Sequence, residues 1–275
     1  MAYKVTATLE NNITRLNNEK KEVLVFSGLT QIADFASEKL MEISKKSIRD
    51  KGRFTVALSG GKTPVALYQV LAVLKKPLQW DKTHIFIVDE RFVPPEDKES
   101  NFLMINQTLL KHINIPWENI HPISTAENTP EASAIKYEED LISFFKPAQG
   151  EFPVIDLIIL GIGEDGHTAS LMPGTPSLRE NRHMTTAVLP PDTSKKQRIT
   201  LTLPVINNAE KIIFLASGRS KAHIIKEVIE AENSSLPAAM VRPKKGKPVF
   251  LLDEEAASLL SKGENIHQGG IKCQK

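Results

Sequence analysis

The sequence predicts an α/β fold built on a parallel or mostly parallel sheet with crossover helices. Three observations carry this expectation. Apolar, strand-like runs alternate with helical patterns at least five times along the chain. One of those runs, VIDLIILG (154–161), is apolar throughout, as in a strand buried on both faces. The four richest polar clusters, SGGKTP, DERFVP, GIGEDGH and SGRSK, each follow directly on such a run. That is where parallel sheets bind ligands, outside the carboxyl ends of their strands.

The elements follow in order. VLVFSG (23–28) reads as a strand, and LTQIADFASEKLMEISKKS as a helix with Ile32, Phe35, Ala36 and Leu40 at helical spacing. FTVALSGG (54–61) is a β-branched run ending in two glycines. The helical TPVALYQVLAVL follows, with Thr63 as its expected N-cap and Pro64 at the first helical position. HIFIV (84–88) reads as a strand with the DERFVP turn at its end, after which Ser100 or Asn101 caps FLMINQTLLKHI. KIIFLASG (211–218) precedes the helical RSKAHIIKEVIEA, and KPVFLLD (247–253) leads into a helical EEAASLL. The segment 173–208, rich in proline, threonine and charge, fits least well and reads as an excursion over the sheet.

The composition is that of a globular protein: 275 residues, 41% apolar, 25% charged, net charge +2. A charge so near balance predicts no nucleic-acid partner. The single cysteine, Cys273, excludes a disulfide framework and a cysteine-rich metal site. The polar N-terminus predicts no secretory signal, and no run approaches the roughly 18 apolar residues of a membrane span, so the expected location is the cytoplasm. There is no G-x-S-x-G elbow, no H-E-x-x-H and no paired spacing among the seven histidines, so neither a serine hydrolase nor a zinc site is expected.

The four turns carry the chemistry. SGGKTP ends like a phosphate-binding loop, but the glycine such a loop needs five residues before Gly61 is Val56, inside the strand. A smaller anion site survives: Gly60 and Gly61 let backbone N–H groups approach an anion, a helix start follows, and Ser59, Lys62 and Thr63 add donors. SGRSK repeats the arrangement, with Arg219 and Lys221 at a helix start where the dipole disfavours cations unless an anion is bound. Two such starts on one rim point to a phosphorylated small molecule. In DERFVP, Asp89 and Arg91 stand on the same rim, and Arg91 can grip a phosphate or carboxylate bidentately.

GIGEDGH matches G-x-G-x-x-G letter for letter. Asp165 nevertheless sits inside the motif, and Pro173 ends the continuation within two turns. The glycines instead turn the chain sharply, so that Asp165 and His167 point into the crevice, where a histidine can act as general base or acid.

Taken together, LSGGKTPVALY, VDERFVPPEDKESN, DLIILGIGEDGHTASLMPG, RITLTLPVIN and SGRSKA resemble the 6-phosphogluconolactonases over about residues 20–260. The related glucosamine-6-phosphate deaminases share the glycines and the Asp-Gly-His, but they carry a glutamate before the proline where this chain reads TASLMP. The resemblance implies a Rossmann-like, deaminase-type sheet with helices on both faces and no metal or organic cofactor. It implies hydrolysis of 6-phospho-D-glucono-1,5-lactone to 6-phosphogluconate in the oxidative branch of the pentose phosphate pathway. It gives His167 the role of general base, Asp165 that of its acidic neighbour, and Arg91 a place in the active site. Ser59, Gly60, Gly61, Lys62, Thr63, Asp89, Arg198 and Lys221 fall on the substrate- and phosphate-binding side.

The expected partner is a phosphorylated sugar lactone, with no nucleic acid and no membrane, and the expected state a monomer or small homo-oligomer. Residues 1–262 are expected to form one α/β catalytic domain and 263–275 a polar, mobile tail. The alternatives are a deaminase- or isomerase-type sugar-phosphate enzyme and a catalytically silent sugar-phosphate sensor. The missing glutamate counts against the first. The intact His167 and the lack of a helix-turn-helix segment count against the second.

Overall fold

The computed structural model describes residues 4–8, 13–17, 20–74, 77–192 and 194–261. The chain opens with a hairpin of β1 (Lys4–Thr8) and β2 (Ile13–Asn17). Then come β3 (Glu22–Phe26), the long helix α1 (Leu29–Lys51), β4 (Phe54–Leu58), α2 (Lys62–Ala72), β5 (Thr83–Ile87) and β6 (Asp89–Arg91). The middle of the chain holds α3 (Asn101–Thr108), β7 (Ile120–His121), α4 (Pro130–Phe145), β8 (Leu157–Gly161), β9 (Thr185–Val188), β10 (Arg198–Leu201) and α5 (Leu203–Asn207). It closes with β11 (Ile212–Ala216), α6 (Ala222–Glu230), α7 (Pro237–Met240) and β12 (Val249–Asp253).

Among the described residues, nine strands form one sheet in the order β1-β2-β3-β12-β11-β8-β4-β5-β7. From β3 to β7 every pairing is parallel, and only the N-terminal hairpin is antiparallel. The mostly parallel α/β sheet expected from the sequence is therefore present. From β4 the chain steps outward through β5 to β7, and from β8 it steps the other way through β11 to β12. β4 and β8 are neighbours, so the direction of winding reverses between them. Connections that diverge from two adjacent strand ends leave a crevice there.

Burial explains the strands. β4, β8 and β11 are apolar and almost wholly shielded, so both faces must be covered. Phe214 and Phe250 stack 4.5 Å apart across β11 and β12. α1 forms because Ile32, Ala36 and Leu40 recur on one buried stripe. It stops at Gly52, which adopts φ +78 and donates its N–H to Ile48.

Four local expectations change. DERFVP is not merely a turn: β5 ends at Ile87, and Asp89–Arg91 form β6, which leaves the main sheet to pair with β10, which pairs in turn with β9. The cause is Asp89 and Glu90, two carboxylates that are 5% and 2% exposed and must find donors. Ser170 supplies one to Asp89. The first turn of α3 and Ser100 supply several to Glu90. The excursion 173–208 is thus partly ordered as the other two strands of this small sheet. Thr63 is not an N-cap: α2 begins at Lys62 with Gly61 as its cap, whereas Ser100 does cap α3, accepting from the N–H of Leu103. EEAASLL forms successive turns, not a helix, because its bonds are largely of the i to i+3 kind and Asp253 takes the N–H of Ala256. The C-terminal tail lies outside the described residues. Among those described, no helix is long and apolar enough to cross a membrane.

Candidate active site

The three turns that follow β4, β8 and β11, together with β6 and β10, enclose one cavity of about 470 Å³ at the carboxyl rim. His167, Arg91, Ser59, Gly60, Gly61, Lys62, Thr63, Asp89, Arg198 and Lys221 all line it. Asp165 does not line it but stands directly behind His167.

The turn after β8 is built to hold that pair. The N–H of Gly163 donates to the carbonyl of His167 at 2.8 Å, and the N–H of Gly166 to that of Gly163 at 3.1 Å. Gly166 adopts φ +79, which needs a glycine. Gly163 needs one for a different reason: a Cβ there would lie 2.0 Å from His167 Nδ1. His167 Nδ1 meets Asp165 Oδ1 at 2.5 Å, and the same oxygen accepts the His167 backbone N–H at 3.1 Å. The hydrogen bond from His167 holds the Asp165 carboxyl well below the usual carboxylate range, against the opposing effect of partial burial. An ionised Asp165 can only accept, so Nδ1 of the ring bears a proton, and in the neutral tautomer the lone pair is on Nε2.

Two arginines form a second side. Arg91 and Arg198 are register partners across β6 and β10. Arg91 Nη1 donates to the Glu99 carbonyl at 2.5 Å, and Arg198 Nη1 to Ser170 Oγ at 3.4 Å. Ser170 Oγ in turn donates to Asp89 Oδ2 at 2.6 Å. Burial lowers the pKa of Arg198, Asp89 opposes this, and Arg91 adds to it. The two guanidinium groups line this side of the cavity and make it cationic, while their Nε atoms are buried and unpaired. Arg198, expected on the substrate- and phosphate-binding side, lines the same cavity beside Arg91 and Ser170.

The two glycine-bearing helix starts form the third side. Gly61 adopts φ +103 and Gly218 φ +95; no side chain caps α2, whose first-turn N–H groups are open to an anion, whereas before α6 a tight turn over Arg219–Lys221 already gives the N–H groups of Lys221 and Ala222 to the carbonyls of Gly218 and Arg219. Lys62 and Lys221 stand at these starts. Arg219, the other basic residue of SGRSK, is exposed and does not line the cavity. The Ser59 hydroxyl is committed to the carbonyl of Ile159 at 2.8 Å. Ser59 therefore contributes backbone, not a free hydroxyl.

A family model described as glucosamine-6-phosphate isomerases/6-phosphogluconolactonase matches residues 28–250. The chain belongs to that family. A 6-phosphogluconolactonase of Nostoc sp. is 39% identical over 244 residues, 88% of this chain and 99% of that one. The 6-phosphogluconolactonase of Rattus norvegicus is 39% identical over 77% of this chain and 82% of its own. Among solved structures, the 6-phosphogluconolactonase of Thermotoga maritima superposes with a TM-score of 0.72 at 32% identity, covering 85% of this chain and 99% of that one. A monomeric glucosamine-6-phosphate deaminase shares the fold, with a TM-score of 0.73 at 23% identity over 86% of this chain and 99% of its own. The family's fold is thus the one this chain adopts.

Sequence reading missed Asn101, Ser217, Ser220 and Glu164 as cavity-lining residues. Asn101 could have been found. It stands at a helix start just after the DERFVP turn, on the same rim, yet it reads only as a second candidate for the cap. Its Nδ2 donates to the Asp89 carbonyl at 2.7 Å, and its Oδ1 occupies the space a Cβ on Gly60 would need.

Proposed function

We propose that this chain hydrolyses 6-phospho-D-glucono-1,5-lactone to 6-phospho-D-gluconate, the lactonase step of the oxidative pentose phosphate pathway. The observation that carries the reading is the convergence, in one cavity, of a histidine oriented by a carboxylate, an arginine pair, and two glycine-bearing helix starts with their lysines.

The lactone is an activated ester and needs no covalent nucleophile. His167 Nε2 takes a proton from water while the water oxygen bonds to C1. Asp165 holds the ring in this tautomer and stabilises the imidazolium that forms. The carbonyl oxygen becomes an oxyanion, which Arg91 and Arg198 stabilise from their side of the cavity. The tetrahedral intermediate collapses, the bond from C1 to the ring oxygen breaks, and His167 returns its proton to that oxygen. The free acid then loses a proton to solvent. The phosphate sits between the Gly60–Gly61 turn and Lys221, which fixes the sugar and presents C1 to His167. Asp89, buried at the cavity wall with one oxygen held by Ser170, offers its other oxygen to a sugar hydroxyl.

The test is a stopped assay of 6-phosphogluconolactone hydrolysis with the spontaneous opening subtracted, run beside an assay for ammonia release from glucosamine 6-phosphate. Lactone turnover without ammonia is expected. Ammonia release without lactone turnover overturns the reading.

A further inference from the structure

Asp253 ends β12 and is 6% exposed, yet it takes no part in lining the cavity. The parallel register pairs Ala216 with Leu252, which brings Asp253 beside Ser217. Its carboxylate accepts the Ser217 hydroxyl. Both of its oxygens lie 3.0 Å from the N–H of Gly218, and one accepts the N–H of Ala256 at 2.7 Å. One buried carboxylate therefore grips both residues with which the turn into α6 begins. From that grip the chain passes through Gly218 at φ +95, and the N–H of Lys221 closes back on the Gly218 carbonyl at 3.1 Å. Ser217, Ser220 and Lys221 then face the cavity.

We infer that Asp253 is a positioning residue for the phosphate end of the substrate: it fixes the 217–221 turn so that Ser220 and Lys221 meet the phosphate in one preset geometry. Two features favour this over a purely architectural role. The carboxylate's bonds fall on the turn that supplies cavity residues. A glycine at left-handed φ has wide conformational freedom, and the bonds inside the turn, from Lys221 to Gly218 and from Ala222 to Arg219, tie it only to itself, whereas the bonds to Asp253 tie it to β12. A buried carboxylate two elements away in sequence supplies that tie and adds a negative charge near a helix start that carries two cations.

The inference rests on the assignment of Lys221 to the phosphate, so both are tested together. The purified full-length chain is compared with Lys221→Ala, Asp253→Ala, Asp253→Asn and the Asp253→Ala/Lys221→Ala double variant. The readouts are kcat and KM for the lactone and the inhibition constant of inorganic phosphate. Lys221→Ala should raise KM and the phosphate constant by about 10–100-fold. Asp253→Ala should raise both by about 5–20-fold, with kcat per folded enzyme falling less than about threefold. Asp253→Asn, which keeps one acceptor oxygen but puts an NH2 donor where the other accepted, should recover only part of that loss and leave both constants about 2–5-fold above wild type. In the double variant the effect should be well below the product of the two singles, because Asp253 acts through the turn that carries Lys221.

A folded Asp253→Ala with wild-type KM and phosphate constant, or multiplicative singles, overturns the inference. Should Asp253→Ala not fold, an Asp253→Asn variant with both constants unchanged overturns it equally. An unchanged KM in Lys221→Ala instead overturns the phosphate assignment itself, and with it the inference.

Discussion

Gly163→Ala is the smallest change that separates the His167–Asp165 pair. The φ of Gly163 is not in the left-handed region, so alanine is acceptable to the backbone. The obstacle is the side chains. The new Cβ would lie 2.0 Å from His167 Nδ1, 2.2 Å from Cε1 and 2.6 Å from Asp165 Oδ1. Carbon contacts normally settle near about 3.5–4.0 Å, so the ring must withdraw by more than about 1 Å. It cannot do so and keep its bond to Asp165. A displacement of that size from a productive geometry costs about 10²-fold in rate, or about 2.7 kcal/mol of transition-state stabilisation.

Gly163 is itself buried, but the side chains its Cβ would meet, His167 and Asp165, are partly exposed and can move aside, so the thermal midpoint should move little. The assay is kcat for the lactone at fixed pH after subtraction of spontaneous opening. Gly28→Ala is the control: its Cβ meets nothing within 4 Å, and full kcat is expected. A folded Gly163→Ala enzyme with wild-type kcat would refute the placement of His167 as the base that this turn aims.

Two further predictions follow. Gly60→Ala puts a Cβ 1.8 Å from Asn101 Oδ1, a buried side chain tied to Asp89, so it should cost about 1–3 kcal/mol of stability and raise KM. Adding Asn101→Ala should restore part of the stability in urea unfolding, and no restoration would place the strain elsewhere. His121 stacks on Phe86 at 4.2 Å and lies 3.1 Å from His84. Burial first, and the charge of His84 second, hold its imidazole down to about 4. The unfolded chain therefore binds that proton more readily, so stability is complete above about pH 6.5 and falls as the pH drops toward about 4. For a half-exposed ring the loss is about 1–2 kcal/mol after screening, and His121→Phe should flatten that part of the unfolding-midpoint profile. A profile as steep as wild type would show that other groups set it.

Six of the nine described strands of the main sheet, β3, β4, β5, β8, β11 and β12, were legible because they are short apolar runs whose pattern is local and because parallel strands place their functional turns on one rim, whereas the polar hairpin β1–β2 and the two-residue β7 gave no such run. Ten of the eleven expected site residues line one cavity for that reason, and the eleventh backs His167. What stayed hidden depends on distant pairing. β6, β9 and β10 have only three or four residues each, and β10 joins β6 across more than a hundred positions of sequence, so no local pattern announces the small sheet. Its consequence, the pairing of Arg198 with Arg91, was hidden with it. Asn101 was masked by its neighbour Ser100, which looks like a cap and is one. Asp253 reads as the polar end of a strand, and only the register of β11 on β12 shows which turn it holds.

The central claim is that His167 moves the proton. His167→Asn tests it most directly, because asparagine keeps polarity and approximate size but cannot carry a proton between water and the ring oxygen. In the folded variant, with binding of 6-phosphogluconate retained, kcat after subtraction of spontaneous hydrolysis should fall by about 10²–10⁴-fold. Turnover near the wild-type rate would contradict the account and pass the role of base to Asp165 or Glu164.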